Sequence, residues 1–143
     1  MSQQPQTTRP AAAMSFEHMV EHVRNEGAYA TSERAERAVR DVLAALGRQL
    51  TSEERVALAA RLPFEAALEL TAQIPATPRT GFGFVSDLAT RTGGTPATAR
   101  WDAGTVFAVL AQLAGDDLIT RILNQLPNGY ALLFGRAELT LSA

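Results

Sequence analysis

Residues 42–63 read VLAALGRQLTSEERVALAARLP, and residues 106–127 read VFAVLAQLAGDDLITRILNQLP. Each opens on apolar residues at helical spacing, crosses a polar turn, resumes a helical pattern and ends on Leu-Pro. Val42, Leu43 and Leu46 fall on Val106, Phe107 and Leu110, and Leu62-Pro63 falls on Leu126-Pro127, at a spacing of 64 residues. A shared apolar register with a shared Leu-Pro at the same helix junction marks an internal duplication.

The rest of each repeat follows outward from these stretches. Thr31 or Ser32 caps a helix whose apolar stripe is Ala35, Val39, Val42, Leu43, Leu46 and Leu50. Before it, Phe16, Met19, Val20 and Val23 share one face of a helix that starts near Ser15 and stops at Gly27. Thr51 and Glu54 have the spacing of a capping box and open a third helix with Val56, Leu58, Ala59 and Leu62 on its face. Pro63 suits the first turn of a fourth helix carrying Phe64, Ala67, Leu68 and Leu70. In the second repeat Phe82, Val85 and Leu88 mirror the first helix, Gly93-Gly94 ends it, and Thr95-Pro96 caps the next, whose stripe is Ala103, Val106, Phe107, Leu110 and Leu113. Gly115-Asp116-Asp117 opens a helix lined by Leu118, Ile119, Ile122, Leu123 and Leu126, and Pro127 starts the last, with Tyr130, Leu132, Leu133 and Phe134.

Ile74-Pro75-Ala76-Thr77-Pro78 cannot continue a helix, because neither proline has an amide donor. The expected organisation is a disordered tail over 1–13, a repeat over 14–73, a linker over 74–80, a second repeat over 81–138 and a short tail over 139–143. Four short helices bury little surface alone. Two such units can cover each other's apolar faces, so the expected fold is all-α, one compact bundle of about eight helices from two four-helix repeats related by pseudo-twofold symmetry.

Composition bounds the function classes. The 143 residues are 46% hydrophobic and 20% charged, which suits a globular chain rather than a disordered one. With 13 basic and 15 acidic residues, the net charge of -2 provides no uniform field for nucleic acid or anionic lipid. Cysteine is absent, which removes disulfides and thiolate metal sites and fits a cytoplasmic location. No signal-peptide core and no run of about 18 apolar residues is present, so no membrane association is expected.

The opening Phe-x-x-x-Val-x-x-Val helix, the Ala/Glu/Arg-rich second helix continuing as Val42-Leu43-Ala44-Ala45-Leu46-Gly47, the turn at Leu50 and the Leu-Ala-Ala-Arg-Leu-Pro at 58–63 carry a resemblance. The chain resembles the bacterial domain-of-unknown-function family 2267 over about residues 15–138. The first repeat matches better; Trp101, Gly104 and Gly115-Asp116-Asp117 depart from the pattern in the second. The resemblance implies tandem helical repeats and no established activity, so it assigns no catalytic residue.

His18-Met19-Val20-Glu21-His22 matches the H-x-x-E-H letters of inverted zinc peptidases. Two histidines at i and i+4 can share a zinc while the glutamate polarises a bound water. Both histidines, however, lie off the apolar face, they are the only two in the chain, and a solvated pair is the stronger reading. The glycines of 79–83 and 92–96 follow no strand and lack the Gly-Lys-Ser/Thr ending of a phosphate loop, so they read as helix stops. The arginines alternate with glutamates and read as surface pairing.

One asymmetry between the repeats is more informative. Opposite its core stripe, the second helix carries Arg37, Asp41 and Arg48; the matching helix of the second repeat carries Trp101, Thr105, Ala108 and Gln112, with Val109 beside them. Loss of charge and gain of Trp mark either a partner surface or a helix buried on both sides. The expected function is that of a non-enzymatic protein-interaction or self-association module, with Trp101, Thr105, Ala108, Val109 and Gln112 as its surface and no cofactor. An alternative is an apolar ligand pocket between the repeats lined by Phe64, Phe107, Tyr130 and Phe134, and a weaker one is a metal-dependent hydrolase using His18 and His22 with Glu21.

Overall fold

The structure is a computed structural model, described here for residues 14–136 apart from the side chain of Ser52. The expected tails at 1–13 and 139–143 lie outside these residues. Among the described residues there are eight α-helices: α1 (Phe16–Gly27), α2 (Ser32–Gly47), α3 (Ser52–Ala59), α4 (Phe64–Thr71), α5 (Gly81–Thr92), α6 (Pro96–Ala114), α7 (Asp116–Gln125) and α8 (Tyr130–Leu133).

The helix starts are set by short polar side chains that accept a first-turn amide. Ser15 accepts from the His18 N–H at 3.0 Å, and Thr31, Thr80 and Thr95 accept from Arg34, Gly83 and Thr98 at 3.1 Å each. Ser15 and Thr80 cap helices of equal length, 12 residues, and both end on a left-handed residue, Ala28 at φ 55° and Gly93 at φ 73°. The left-handed residue after α1 is therefore an alanine; Gly27, expected to stop the helix, is its last residue and is buried.

Thr51 does not form the expected capping box. Its side chain caps nothing, and Gln125 of α7 intervenes, accepting from the Thr51 N–H at 2.9 Å and donating to Glu54 Oε1 at 2.8 Å. A local motif has become a tie between α3 and α7. The stretch 74–80 has no helix and is pinned to the end of α2: the Ala76 N–H donates to the Arg48 carbonyl at 2.8 Å, and the Arg79 N–H to Gln49 Oε1 at 2.8 Å.

Within each half the long helices pair, α1 with α2 and α5 with α6. Across the halves α2 packs on α6 and α3 on α7, while α1 lies against α6 and α5 against α2. The shared core takes Val39, Val42, Leu43 and Leu46 from α2 and Ala103, Val106, Phe107 and Leu110 from α6, all fully buried. The first half fills its centre with aliphatic residues and an eight-residue α4. The second has a single-turn α8 and fills the space with rings: Phe107 stacks on Phe134 at 4.3 Å, and Phe84 meets Phe107 at 5.6 Å and Tyr130 at 5.5 Å.

The expected core faces of α3, α4 and α5 hold at Leu58, Leu62, Leu70, Val85 and Leu88, and each loses one or more apolar residues to the surface. In α5, Phe84, Val85, Leu88 and Ala89 are buried and Phe82 is exposed. Gly81 takes the first core position because a Cβ there would lie 2.6 Å from the Gly129 carbonyl carbon, which turns the neighbouring Phe82 outward. In α4 the buried residues are Ala66 and Leu70, while Phe64 and Leu68 are exposed. Two residues along a helix is about 200° of rotation, so facing Ala66 to α2 turns Phe64 away. Gly47 permits this packing, since a Cβ on it would meet the Leu70 carbonyl oxygen at 2.1 Å. In α3, Leu58 is buried and Val56 exposed.

Candidate functional site

His18, Glu21 and His22 do not converge on one point. His18 is exposed. Glu21 accepts from the Ser32 hydroxyl and from Arg24 at 3.4 Å, and the Ser32 bond, ahead of Arg24, lowers its pKa. His22 was expected to face solvent. Instead its Nε2 lies 2.6 Å from Gln112 Oε1 of α6. Among the described residues no group of three or more His, Asp or Glu side chains is placed to hold a metal ion.

That contact belongs to a seam between α1 and α6. The Trp101 indole N–H donates to the Gly27 carbonyl at 3.0 Å. Gly27 is packed so closely that a Cβ would lie 2.4 Å from the Tyr29 ring and 2.9 Å from the Thr105 methyl. The Tyr29 hydroxyl donates to Asp102 at 2.6 Å, and a single Arg34 nitrogen, Nη2, lies 3.1 and 2.9 Å from the two oxygens of the same carboxylate, an ion pair that ties α2 to α6. Arg34 also lies over the Tyr29 ring, 5.1 Å from its centroid. Burial, then the Asp102 carboxylate, raises the Tyr29 phenol.

Of the five residues expected to form a surface, the structure turns two inward: Val109 is fully buried and Thr105 is 8% exposed. The reason is that α6 runs through the middle of the bundle and meets α1 on the side that would otherwise face solvent. Trp101 remains 56% exposed, Ala108 partly exposed and Gln112 exposed. Trp101, Gly104, Thr105 and Ala108, with Ala97, Arg100 and Glu26, line a shallow groove of about 430 Å³.

The matching seam, between α5 and α2, is open. It forms a cleft of about 520 Å³ whose walls carry Arg34, Arg37 and Asp41 from α2, Arg48 just after it, Arg91 and Thr92 from α5, and Thr98 and Asp102 from α6. Arg37 and Asp41 are exposed, as expected of an outer face, and with the half-buried Arg48 they line a concave surface. Arg91 pairs with Asp87 at 2.8 Å, and Arg79 approaches the same carboxylate at 3.6 Å. Burial, then the charge of Arg91, lowers the pKa of Arg48; burial, then Asp102, raises that of Asp41. The apolar pocket expected from Phe64, Phe107, Tyr130 and Phe134 is not assembled: the last three are buried against one another in the second half, and Phe64 is 72% exposed.

A family model described as "Uncharacterized conserved protein (DUF2267)" matches residues 16–133. The chain belongs to the DUF2267 family. No curated protein matches it. In this DUF2267 chain no helix among the described residues is long and apolar enough to cross a membrane.

The sequence named some residues on each seam, Trp101, Thr105 and Gln112 on one and Arg37, Asp41 and Arg48 on the other, but not their pairing. It missed Gly27 as a contact, and it missed the set of Tyr29, Asp102 and Arg34. One signal was available: Asp102 stands 64 residues after Ala38, a fully buried position, so a carboxylate occupies the counterpart of a core alanine.

Proposed function

We propose that this DUF2267 protein is a non-enzymatic module that self-associates through the α6 groove beside Trp101. The observation that carries the reading is Gly104. A glycine inside a helix costs about 1 kcal/mol relative to alanine. Gly47 and Gly27 offset that cost by allowing close packing within the chain, but a Cβ on Gly104 would have nothing within 4 Å. Gly104 lies on the groove floor next to a Trp with more than half its surface free, where its small size allows a second backbone to approach.

The groove's charges favour a second copy as that partner. Glu26 and Arg100 flank it with opposite signs, and neither has an ion-pair partner among the described residues. A twofold contact sets each residue's surface against the same surface of its mate, so Glu26 of one copy and Arg100 of the other become complementary.

The test is the mass in solution by light scattering across a concentration series. The wild type is expected to move from monomer to dimer. Gly104→Leu is expected to stay folded and monomeric, because a Cβ there has open space and the branches beyond it occupy the groove where the second copy would sit. Glu26→Arg alone is expected to weaken the dimer and the pair Glu26→Arg with Arg100→Glu to restore it. A wild type monomeric at every concentration, or a dimer indifferent to Gly104→Leu, would refute the reading.

A further inference from the structure

The open seam has a different chemistry and rests on different residues. Arg48 and Arg91 line the cleft together; Arg91 pairs with Asp87, which Arg79 also approaches, and Arg48 has no counter-ion among the described residues. A guanidinium has five N–H donors. Among the described residues Arg48 uses one of its side-chain donors, to Gln73 Oε1 at 3.0 Å, although its side chain is partly withdrawn from water. Arg37, on the same wall, has no hydrogen-bond or ion-pair partner among the described residues. Four arginines and two aspartates line the cleft, an arrangement short of negative charge. A phosphate or similar oxyanion between Arg48 and Arg91 would supply it, with the forked geometry guanidinium groups favour.

The remaining lining narrows the ligand. Asp41 has no hydrogen-bond partner among the described residues, and it is an acceptor facing the same cavity. Asp102 is held by Arg34 and Tyr29 at the far end. Two carboxylates along the walls repel a continuous polyanion, so a nucleic-acid backbone does not fit. They suit a compact molecule with an anionic end and hydroxyl or amino donors at the other. About 520 Å³ lies within the range of small-molecule sites.

We infer that the cleft between α2 and α5 binds a small organic phosphate, its phosphate held by Arg48 and Arg91 and its donor groups by Asp41. The experiment is calorimetry and thermal melting of the full chain with ribose 5-phosphate, adenosine monophosphate and inorganic phosphate, with ribose and adenosine as phosphate-free controls. The phosphorylated organic probes are expected to bind and raise the melting temperature, and the controls to do neither. Arg48→Gln and Arg91→Gln are each expected to weaken binding about tenfold or more, the loss of a charge-assisted bond. Asp41→Asn is expected to weaken the organic phosphates and leave inorganic phosphate unchanged. Absence of binding by all three phosphates overturns the inference. So does binding indifferent to both arginine variants, or binding lost for every probe at about 0.15 M salt, which marks diffuse surface attraction.

Discussion

The α1–α6 and α5–α2 seams join the same kinds of helix from opposite halves, and they have been finished in opposite ways. Trp101, Thr105 and Gln112 of α6 stand 64 residues after Arg37, Asp41 and Arg48 of α2; His22, Glu26 and Gly27 of α1 stand 65 before Asp87, Arg91 and Thr92 of α5. In one seam an indole, a threonine methyl and a tyrosine ring close over a glycine, and an amide meets an imidazole beside them. In the other, guanidinium and carboxylate groups line an open cleft. Charged groups lose more by leaving water than unpaired contacts across a seam return, whereas an indole gains area and needs only one acceptor. One bundle can thus hold a shared core and finish the layer just outside it in two different ways.

The largest expected effect bears on how the two halves fill their centres. Phe107→Ala removes the ring shared by Phe84 and Phe134 and is expected to cost about 4 kcal/mol, against about 3 kcal/mol for Leu43→Ala at the matching place, read from urea unfolding. Equal losses would mean that the rings of the second half do not compensate for its short α8.

Next comes an exchange between the seams themselves. Gly27→Thr, which installs the open seam's residue in the closed one, forces a side chain into the Tyr29 ring and is expected to cost about 2–3 kcal/mol. The reverse change, Thr92→Gly, alters an exposed residue at the end of α5 and is expected to cost no more than about 1 kcal/mol. Comparable costs would remove the distinction between the seams.

The smallest effect is a pH dependence. Tyr29 at the closed seam and Tyr130 in the second-half core both have raised phenol pKa values, chiefly from burial, and Tyr130 has no hydrogen-bond partner for its hydroxyl. A raised phenol holds its proton more tightly folded than unfolded. Its contribution is intact below the ordinary value of about 10 and is lost as the pH climbs through the folded value. Phenolate absorbance is therefore expected to appear together with the loss of helical circular dichroism, and Tyr29→Phe to reduce the slope without abolishing it. Phenolate formed at its ordinary pH in a fully folded chain would contradict the burial of both rings.

Much of the fold could be read from local pattern. The caps at Thr31 and Thr95, the stripes of α2 and α6 and the proline-interrupted linker each depend on residues within a turn or two. The misread faces of α4 and α5 were ambiguous in kind: short helices carrying Phe64, Leu68 and Phe82 beside Ala66, Leu70 and Phe84 offer two apolar sides, and periodicity cannot choose between them. Close approach chose, at Gly47 with Leu70 and at Gly81 with Gly129. The candidate sites were legible as residue types and not as places, because Arg37, Asp41 and Arg48 look alike on a free surface and on the wall of a cleft.

By itself the amino-acid order determined an all-helical chain and most of its helix starts, since hydrophobic periodicity and capping act over a few residues. It did not determine the last start, which lies at Tyr130 rather than at Pro127. Which outer faces meet was left to the tertiary structure. His22 finds Gln112 and Trp101 finds Gly27 across separations of 90 and 74 residues, and only the packing of both halves brings those groups within bonding distance. Helix periodicity says which side of a helix is apolar; shape and solvation decide which neighbour covers it, and where water stays.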